Sequence, residues 1–333
     1  MTATTEGQPN PTSDVTAVVT CYNHQAYVEQ SLESVAEQTR PAVQVIVIDD
    51  RSSDQSANLI ERWLEVNQPD WTFIQHSSNV GVCASLNEAL ALARGKYFCQ
   101  ISADDWIEPD RFERQSVALD AAPEDVALVV GDIREVDAGG GLIVDHDFGP
   151  RLSPLLSHEK GGDNLSHLLA ENTIPAPGVL LRTDAIRDVG GYDESLAFED
   201  YDMWLRLAEH HSIAYQPGIV SNYRLVASGM TRNTARRALV LRSEADMLAK
   251  HIGRSEADDR VIARRLLSIA GALVDLEARA ALRYVLRLAQ PIARARWVGT
   301  AIRTSRLPGG LDRIRHGHAA GLGISPTKPR RPH

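Results

Sequence analysis

Between residues 15 and 130, short apolar runs alternate with amphipathic stretches of helical period, and this alternation leaves few architectures open to the chain. "VTAVVTC" (15–21), "VQVIVIDD" (43–50), "WTFIQH" (71–76), "KYFCQIS" (96–102) and "VALVVGDI" (126–133) read as strands. "AYVEQSLESVAEQ" (26–38), "SANLIERWLEVN" (56–67), "VCASLNEALALAR" (82–94) and "PDRFERQSVALDA" (109–121) read as helices, the last with Pro109 at its start. Repeated βαβ units predict an α/β, Rossmann-like fold with a mostly parallel central sheet and helices on both faces. In an open sheet of this kind, ligands bind at the carboxyl ends of the strands. Those ends are polar here: Thr20-Cys21-Tyr22-Asn23-His24 after the first strand, Asp49-Asp50 after the second, and Ser102-Ala103-Asp104-Asp105 after the fourth.

Beyond "DAGGG" (137–141), a hairpin-like turn, the pattern loosens. Residues 149–177, with several prolines and glycines, read as an irregular excursion holding one short helix near 163–171. Strand character returns at "GVLLRTDAI" (178–186) and "IAYQPGIVSNYRL" (213–225), with helix at "EDYDMWLRLAEHH" (199–211). From Ala235 to about residue 305 the sequence is helical, interrupted near Gly253 and Pro291. The expected organisation is a flexible tail at 1–14, a catalytic unit at 15–234, a helical extension at 235–307 and a flexible basic tail at 308–333. Charge separates the same parts: residues 1–234 carry a net of −21 and residues 235–333 a net of +12, summing to the chain's −9. Arg279, Arg283 and Arg287 would form one basic stripe on a helix with apolar residues on its other faces. Such a helix either lies on an anionic membrane surface or packs on the acidic half of the chain. No apolar run is long enough to span a bilayer and no secretory signal is evident, so the expected location is cytoplasmic, with peripheral contact at the inner face of the membrane as the further option. Cys21, Cys83 and Cys99 form no CxxC and suit buried thiols in a reducing compartment.

Chemistry concentrates in three acidic groups. Asp104 and Asp105 follow an apolar strand directly, where burying both unpaired would cost several kcal/mol. They either cap the next helix or hold a divalent cation, Mg²⁺ or Mn²⁺, whose remaining ligands come from substrate phosphate and water. A carboxylate at Asp49 or Asp50 can accept hydrogen bonds from a ribose or a base, or it caps the helix that follows. Glu199, Asp200 and Asp202 open a helix, where acidic residues also favour the dipole. Glu199 and Asp202 share a face, which leaves Asp200 free to turn toward a pocket. No GxGxxG or GxxxxGK[ST] loop is present, which argues against a dinucleotide site and a P-loop.

Taken together, "VVTCYNHQAYVEQSLESVAEQT" (18–39), "VIVIDDRSSDQS" (45–56), "NVGVCASLNEALALARGKYFCQISADDWIEPDR" (79–111) and "GVLLRTDAIRDVGGYDESLAFEDYDMWLRL" (178–207) resemble the family 2 glycosyltransferases of GT-A fold, of bacterial type. The resemblance spans about residues 15–230. It implies that Thr20, Tyr22 and Asn23 line a nucleotide pocket and that Asp50 contacts the base or ribose. By the same resemblance Asn79, Gly81 and Asn87 shape the loop and helix above the nucleotide, and Asp104 with Asp105 matches the DxD-type site for the metal and the sugar-nucleotide diphosphate. Glu199-Asp200 is the acidic pair that supplies the general base, with Asp200 the base itself. The activity implied is inverting transfer of a sugar from a nucleoside diphosphate sugar, a UDP-sugar foremost, to a glycan, lipid-linked or small-molecule hydroxyl in cell-surface polysaccharide or glycoconjugate synthesis. Nucleic acid is not an expected partner.

Three positions depart from the family pattern. Ser102 stands where an aspartate is common, Leu86 where an arginine often precedes Asn87, and Val226 where a histidine often lies near the diphosphate. Arg224 or Arg232 is expected to supply positive charge instead, with weakened metal dependence. Two rivals remain at this level. A nucleotidyltransferase also uses sheet-end aspartates, but "CYNHQAYVEQ" lacks the Gly-rich basic loop it would need. A degenerate sugar-nucleotide-binding protein fits the departures but not the retained Glu199-Asp200. His24, His210 and His211 read as surface or packing residues. Trp106 and Trp204 read as core residues or as platforms for a sugar.

Overall fold

The structure, a computed structural model, describes residues 13–156, 163–226, 236–276, 279–289 and 292. Arg232, most of the expected N-terminal tail and the 308–333 tail lie outside the described residues. The elements follow in the order β1 (Ser13–Cys21), α1 (Val28–Ala36), β2 (Ala42–Asp49), α2 (Ser56–Asn67), β3 (Thr72–Gln75), α3 (Val82–Leu92), β4 (Tyr97–Ser102), β5 (Trp106–Ile107) and α4 (Arg111–Ala121). They continue with β6 (Val126–Val136), β7 (Leu142–His146), α5 (Gly149–Leu156), α6 (Asp163–Ala170), β8 (Val179–Arg182), α7 (Thr183–Asp188), α8 (Asp200–Ala208) and β9 (Ser212–Arg224). Three helices close the described chain: α9 (Arg237–Ala249), α10 (Glu256–Asp275) and α11 (Arg279–Leu288).

One mixed sheet of order β3-β2-β1-β4-β8-β6-β9-β5, with β7 paired to β6, runs through the molecule. Its first half, β3-β2-β1-β4, is wholly parallel. β8 then enters antiparallel between β4 and β6, while β6 and β9 pair in parallel. Followed through these pairings, β1, β2, β3, β4, β6 and β9 point one way and β5, β7 and β8 the other. β1 begins earlier than the sequence implies, because Ser13 pairs with Ala42 across a register shift and its amide donates to Pro41 O at 2.7 Å.

The strand periodicity sorts side chains to two faces. Val18, Ile46, Ile48 and Phe98 join one buried cluster with α3, α8, α9 and α10. Ala17, Val19, Val45, Val47 and Cys99 join the other with α1, α2 and α4. The strands therefore read as continuous apolar runs because both faces are covered. The C-terminal helices share this core: Leu248 of α9 and Ile262, Leu266 and Leu273 of α10 lie in the same cluster as Ile48 of β2. Ser255 caps α10, its hydroxyl accepting from Asp258 N at 3.0 Å. On α11, Val285 is buried and the Arg242 guanidinium lies 4.6 Å from the Tyr284 ring. Arg283, Leu286 and Arg287 face outward; the side chain of Arg279 lies outside the described residues. Among the described residues no helix is long and apolar enough to cross a membrane.

Candidate active site

The carboxyl ends of β1, β2 and β4 open into a cleft of about 670 Å³. Of the residues singled out in the sequence, Thr20, Tyr22, Asp50, Asn79, Gly81, Asp104, Asp105, Glu199, Asp200 and Arg224 line it, and Asn23 and Asn87 do not. Asn23 adopts a left-handed backbone, φ 61°, at the sharp exit from β1. Its side-chain oxygen accepts from Ser53 N at 2.7 Å and Ser53 Oγ at 3.1 Å, stitching the β1–α1 turn to the β2–α2 loop. Asn87 donates to Tyr192 O at 2.9 Å and accepts from Tyr192 N at 2.8 Å, tying α3 to the "GGYDE" turn that leads toward Glu199. A Cβ on Gly191, whose φ is +75°, would meet the Asn87 side-chain oxygen at 2.7 Å. Both asparagines thus hold loops around the cleft and do not face into it.

Asp50 differs from the expected ribose or base contact in a similar way. Its oxygens accept from Val80 N at 2.8 Å and Gly81 N at 2.9 Å, and the His76 ring lies at 2.9 Å. Asn79 donates back to Asp50 O. The carboxylate is largely used in folding the loop that starts α3, where Gly81 needs φ +90°. His76 bridges Asp50 and Glu88; burial works against its charge, but hydrogen bonds to both carboxylates outweigh it and raise its pKa.

Beyond β4, Asp105 is buried and its Oδ1 accepts from Arg224 N at 2.7 Å. Burial first, and the charge of Asp104 second, push its carboxyl well above the usual carboxylate range. Asp104 Oδ1 accepts from Ser102 Oγ at 2.5 Å, and its Oδ2 lies 3.8 Å from His24 Nε2. Among the described residues no group of three His, Cys, Asp or Glu side chains could hold a metal ion. Two adjacent carboxyl groups at the cleft, Asp104 and Asp105, fit a hard cation that takes its other oxygens from phosphate and water, as Mg²⁺ and Mn²⁺ do.

Arg224 is a correction. Its guanidinium lies between the rings of Tyr27 and Trp106, at 4.5 and 4.8 Å from their centroids. It donates to Asp104 O, Ala138 O and Gln30 Oε1. At 4% exposure it is a strut of the wall beneath Asp104, not a cation presented to a diphosphate. Trp106, read from sequence as core or sugar platform, is one jaw of that clamp.

The second acidic group sits at the start of α8. Asp202 is 1% exposed and ion-paired to Arg206 at 2.7 Å and Lys250 at 2.6 Å, so it anchors the helix to α9. Glu199 and Asp200 are left on the cleft wall. Glu199 Oε1 accepts from Gln100 Nε2 at 2.7 Å. Burial, followed by the charge of Asp200, pushes the Glu199 carboxyl up to about 7, and burial raises Asp200 as well. The pair therefore holds a proton close to neutrality, a poise that suits general-base work. Cys21 and Cys83 are pushed up to about 12 by burial and stay thiols.

Against known proteins, residues 16–167 match the family model described as glycosyl transferase family 2. Those residues are similar to the family 2 glycosyltransferases. Similar curated proteins include the chondroitin synthase of Escherichia coli, 30% identical over 59% of this chain and 26% of its own. An uncharacterized glycosyltransferase of Methanocaldococcus jannaschii is 27% identical over 58% of this chain and 63% of its own. The chain thus spans less than two thirds of the length of these relatives. Among solved structures, S. aureus TarS 1–349 in complex with UDP-GlcNAc aligns at TM-score 0.58 and 16% identity, covering 92% of this chain and 88% of that one. The mannosyltransferase PcManGT of Pyrobaculum calidifontis, in complex with GDP-Man and Mn²⁺, aligns at 0.56 and 18%, covering 95% and 90%. At these identities the likeness is one of fold, and the fold is GT-A.

The roles of several residues of this cleft are not legible in the sequence. His24 stands beside Asp104 in the cleft and was read as a surface or packing residue. Gln100 orients Glu199 from a strand position that looks apolar on both sides. Arg111, 1% exposed, donates to Val179 O and lies near enough to Asp105 to lower its pKa. Each lies within a stretch quoted above, but its role is identified only by its neighbours.

Proposed function

We propose that this protein transfers one sugar from a nucleoside diphosphate sugar to an acceptor hydroxyl in a single inverting displacement. The observation that carries the reading is that Asp104-Asp105, at a strand end within the segment that matches the family 2 model, and Glu199-Asp200, at the start of α8 and nearly a hundred positions on in sequence, line one cleft. The nucleotide lies along Thr20, Tyr22 and the Asp50-anchored loop at Asn79–Gly81. Arg236 lines the same cleft, its guanidinium 5.8 Å from the Tyr22 ring, and adds positive charge there. Asp104 and Asp105 would hold a divalent cation, which supplies neutralisation of the charge growing on the leaving diphosphate. Asp200 takes the proton of the acceptor hydroxyl as its oxygen bonds to the anomeric carbon and the bond from that carbon to the phosphate oxygen breaks. Glu199, held by Gln100, keeps the local affinity for that proton high.

The test is Asp200→Asn with donor binding and turnover measured separately. We expect turnover to fall about 10²–10⁴-fold, the usual contribution of a general base, with the dissociation constant for the donor within about threefold. A variant retaining more than about a tenth of wild-type turnover refutes the base assignment. Chelation that changes neither donor affinity nor turnover refutes the cation. Screening UDP- and GDP-sugars by thermal shift identifies the donor.

The exposed Arg283, Leu286 and Arg287 of α11 favour one further reading, peripheral contact with an anionic membrane that would present a lipid-linked acceptor. Co-sedimentation with phosphatidylserine vesicles at low salt is expected, and release by Arg283→Glu with Arg287→Glu. Protein that stays in the supernatant refutes it.

A further inference from the structure

The cleft has a second polar cluster, away from the strand ends that receive the nucleotide. Ile133 and Glu135 sit two residues apart on β6 and both line the cleft. Glu135 is only 3% exposed, and His146 Nε2 on β7 lies 3.4 Å from its Oε1 but has no hydrogen-bond partner among the described residues. Thr173, 4% exposed, also lines the cleft, and its Oγ1 has no hydrogen-bond partner among the described residues. The buried His146 Nε2 and Thr173 Oγ1 leave bonds unmade, which costs free energy unless something else makes them. Phe148 and Tyr223 line the cleft beside them, Tyr223 directly opposite Glu135 across the β6–β9 pair, and they offer apolar surface.

The place of this cluster in the sheet separates it from the nucleotide. Between β1 and β6 lie β4 and β8, so Glu135 is about 14 Å along the sheet from Thr20, three strand spacings of roughly 4.8 Å. That is beyond a base and ribose placed on β1 and β2, on the side where a second substrate would enter.

We propose that Glu135, His146 and Thr173 form the acceptor subsite, and that it takes an uncharged sugar through its ring hydroxyls. The proposal rests on the transfer reading above. Hydroxyls both donate and accept, which matches a carboxylate that only accepts, an imidazole nitrogen and a threonine hydroxyl. The sign of the charge narrows the class. Glu135, Asp104, Asp105, Glu199 and Asp200 all face the one cleft, while Arg111 and Arg224 are bonded into its wall and Arg236 stands at its nucleotide end beside Tyr22. A uronic acid or a sugar phosphate brought to Glu135 would set like charges together in a partly desolvated site, which disfavours its binding.

The experiment uses the full chain, its identified donor, and paired acceptors sharing one aglycone: benzyl glucoside and galactoside against benzyl glucuronide and galacturonide. The expected result is a kcat/KM for the neutral glycosides at least about tenfold above that for the uronides. Glu135→Gln is expected to raise the acceptor KM about tenfold or more with the donor dissociation constant within twofold. Thr173→Val, a nearly isosteric change, is expected to raise the same KM about threefold to tenfold, and melting curves establish that both variants are folded. Uronides used as well as neutral sugars overturn the proposal. So does a Glu135→Gln or Thr173→Val effect that falls on donor affinity, which would assign the cluster to the donor sugar. A wild-type protein that neither binds nor hydrolyses any nucleotide sugar overturns the transfer reading and the subsite with it, whereas one that hydrolyses donor with unaltered acceptor KM in both variants overturns the subsite alone.

Discussion

At Glu199 a single side chain links burial, proton affinity and rate. Its carboxyl is pushed up to about 7 by burial and by Asp200, against about 4.3 in an unfolded chain. The folded state therefore binds this proton more tightly. The associated stability is fully present below the unfolded value and is lost as pH rises toward 7. Glu199→Gln removes the charge and preserves an oxygen for Gln100, so its melting temperature is expected to exceed that of wild type at pH 8, with the advantage shrinking toward pH 5. The rate should report the same group. Wild-type kcat/KM is expected to rise with pH through a limb near 7, and Glu199→Gln to move that limb to lower pH by removing the like charge beside Asp200. An unchanged limb and an unchanged melting difference at both pH values would show that Glu199 does not set the proton affinity of the pair. Asp202 shows how little sequence spacing decides here. It is an acid of the same helix turn, but Arg206 and Lys250 fix it as an anchor.

At the scale of elements, the cleft depends on loops held by side chains that do not enter it. Asn23 joins the β1 and β2 loops, Asp50 folds the start of α3, and Asn87 joins α3 to the turn ahead of α8. Gly191 makes the last of these joints possible. Gly191→Ala places a Cβ at 2.7 Å from the Asn87 oxygen and requires an L-residue at φ +75°. A loss of about 1–3 kcal/mol is expected, measured by urea denaturation, together with a lower turnover because Glu199 and Asp200 follow this turn. Gly190→Ala has no such neighbour within 4 Å and should cost only the backbone strain. Equal losses in the two variants would show that the Asn87 joint is not what Gly191 protects.

On the scale of the whole molecule, the helical extension and the sheet share one core. Leu248, Ile262, Leu266 and Leu273 are buried in the cluster that includes Ile48 and Met203, and Lys250 reaches from the end of α9 to Asp193 and Asp202. Each such apolar side chain stabilises by about 1.5–3 kcal/mol when fully buried. A chain truncated at residue 235 is therefore expected to lose its cooperative thermal transition and to bind a dye for exposed apolar surface. A truncated chain that melts cooperatively and binds donor like the full protein would show that the boundary near 234 separates two independent domains.

The alternation of apolar runs determined the helices, the parallel half of the sheet and the strand ends where the site lies, because strand and helix periods are local properties of the chain. The motifs also placed Asp104-Asp105 and Glu199-Asp200 among the candidates, since acids after an apolar strand or at a helix start are conspicuous in one dimension. What the sequence could not supply is which polar groups are already used. Arg224 reads as a free cation, yet its guanidinium is taken up by Tyr27, Trp106, Gln30 and the Asp104 carbonyl, all from distant parts of the chain. Asp50 reads as a ligand for ribose, yet backbone amides 30 and 31 positions away take its oxygens. Glu135, His146 and Thr173 belong to no motif, yet Glu135 is buried beside His146 Nε2 and Thr173 Oγ1, both with bonds unmade. Hydrogen bonds are short-ranged and saturable, so a polar side chain's role is fixed by partners that only the folded chain brings within about 3 Å.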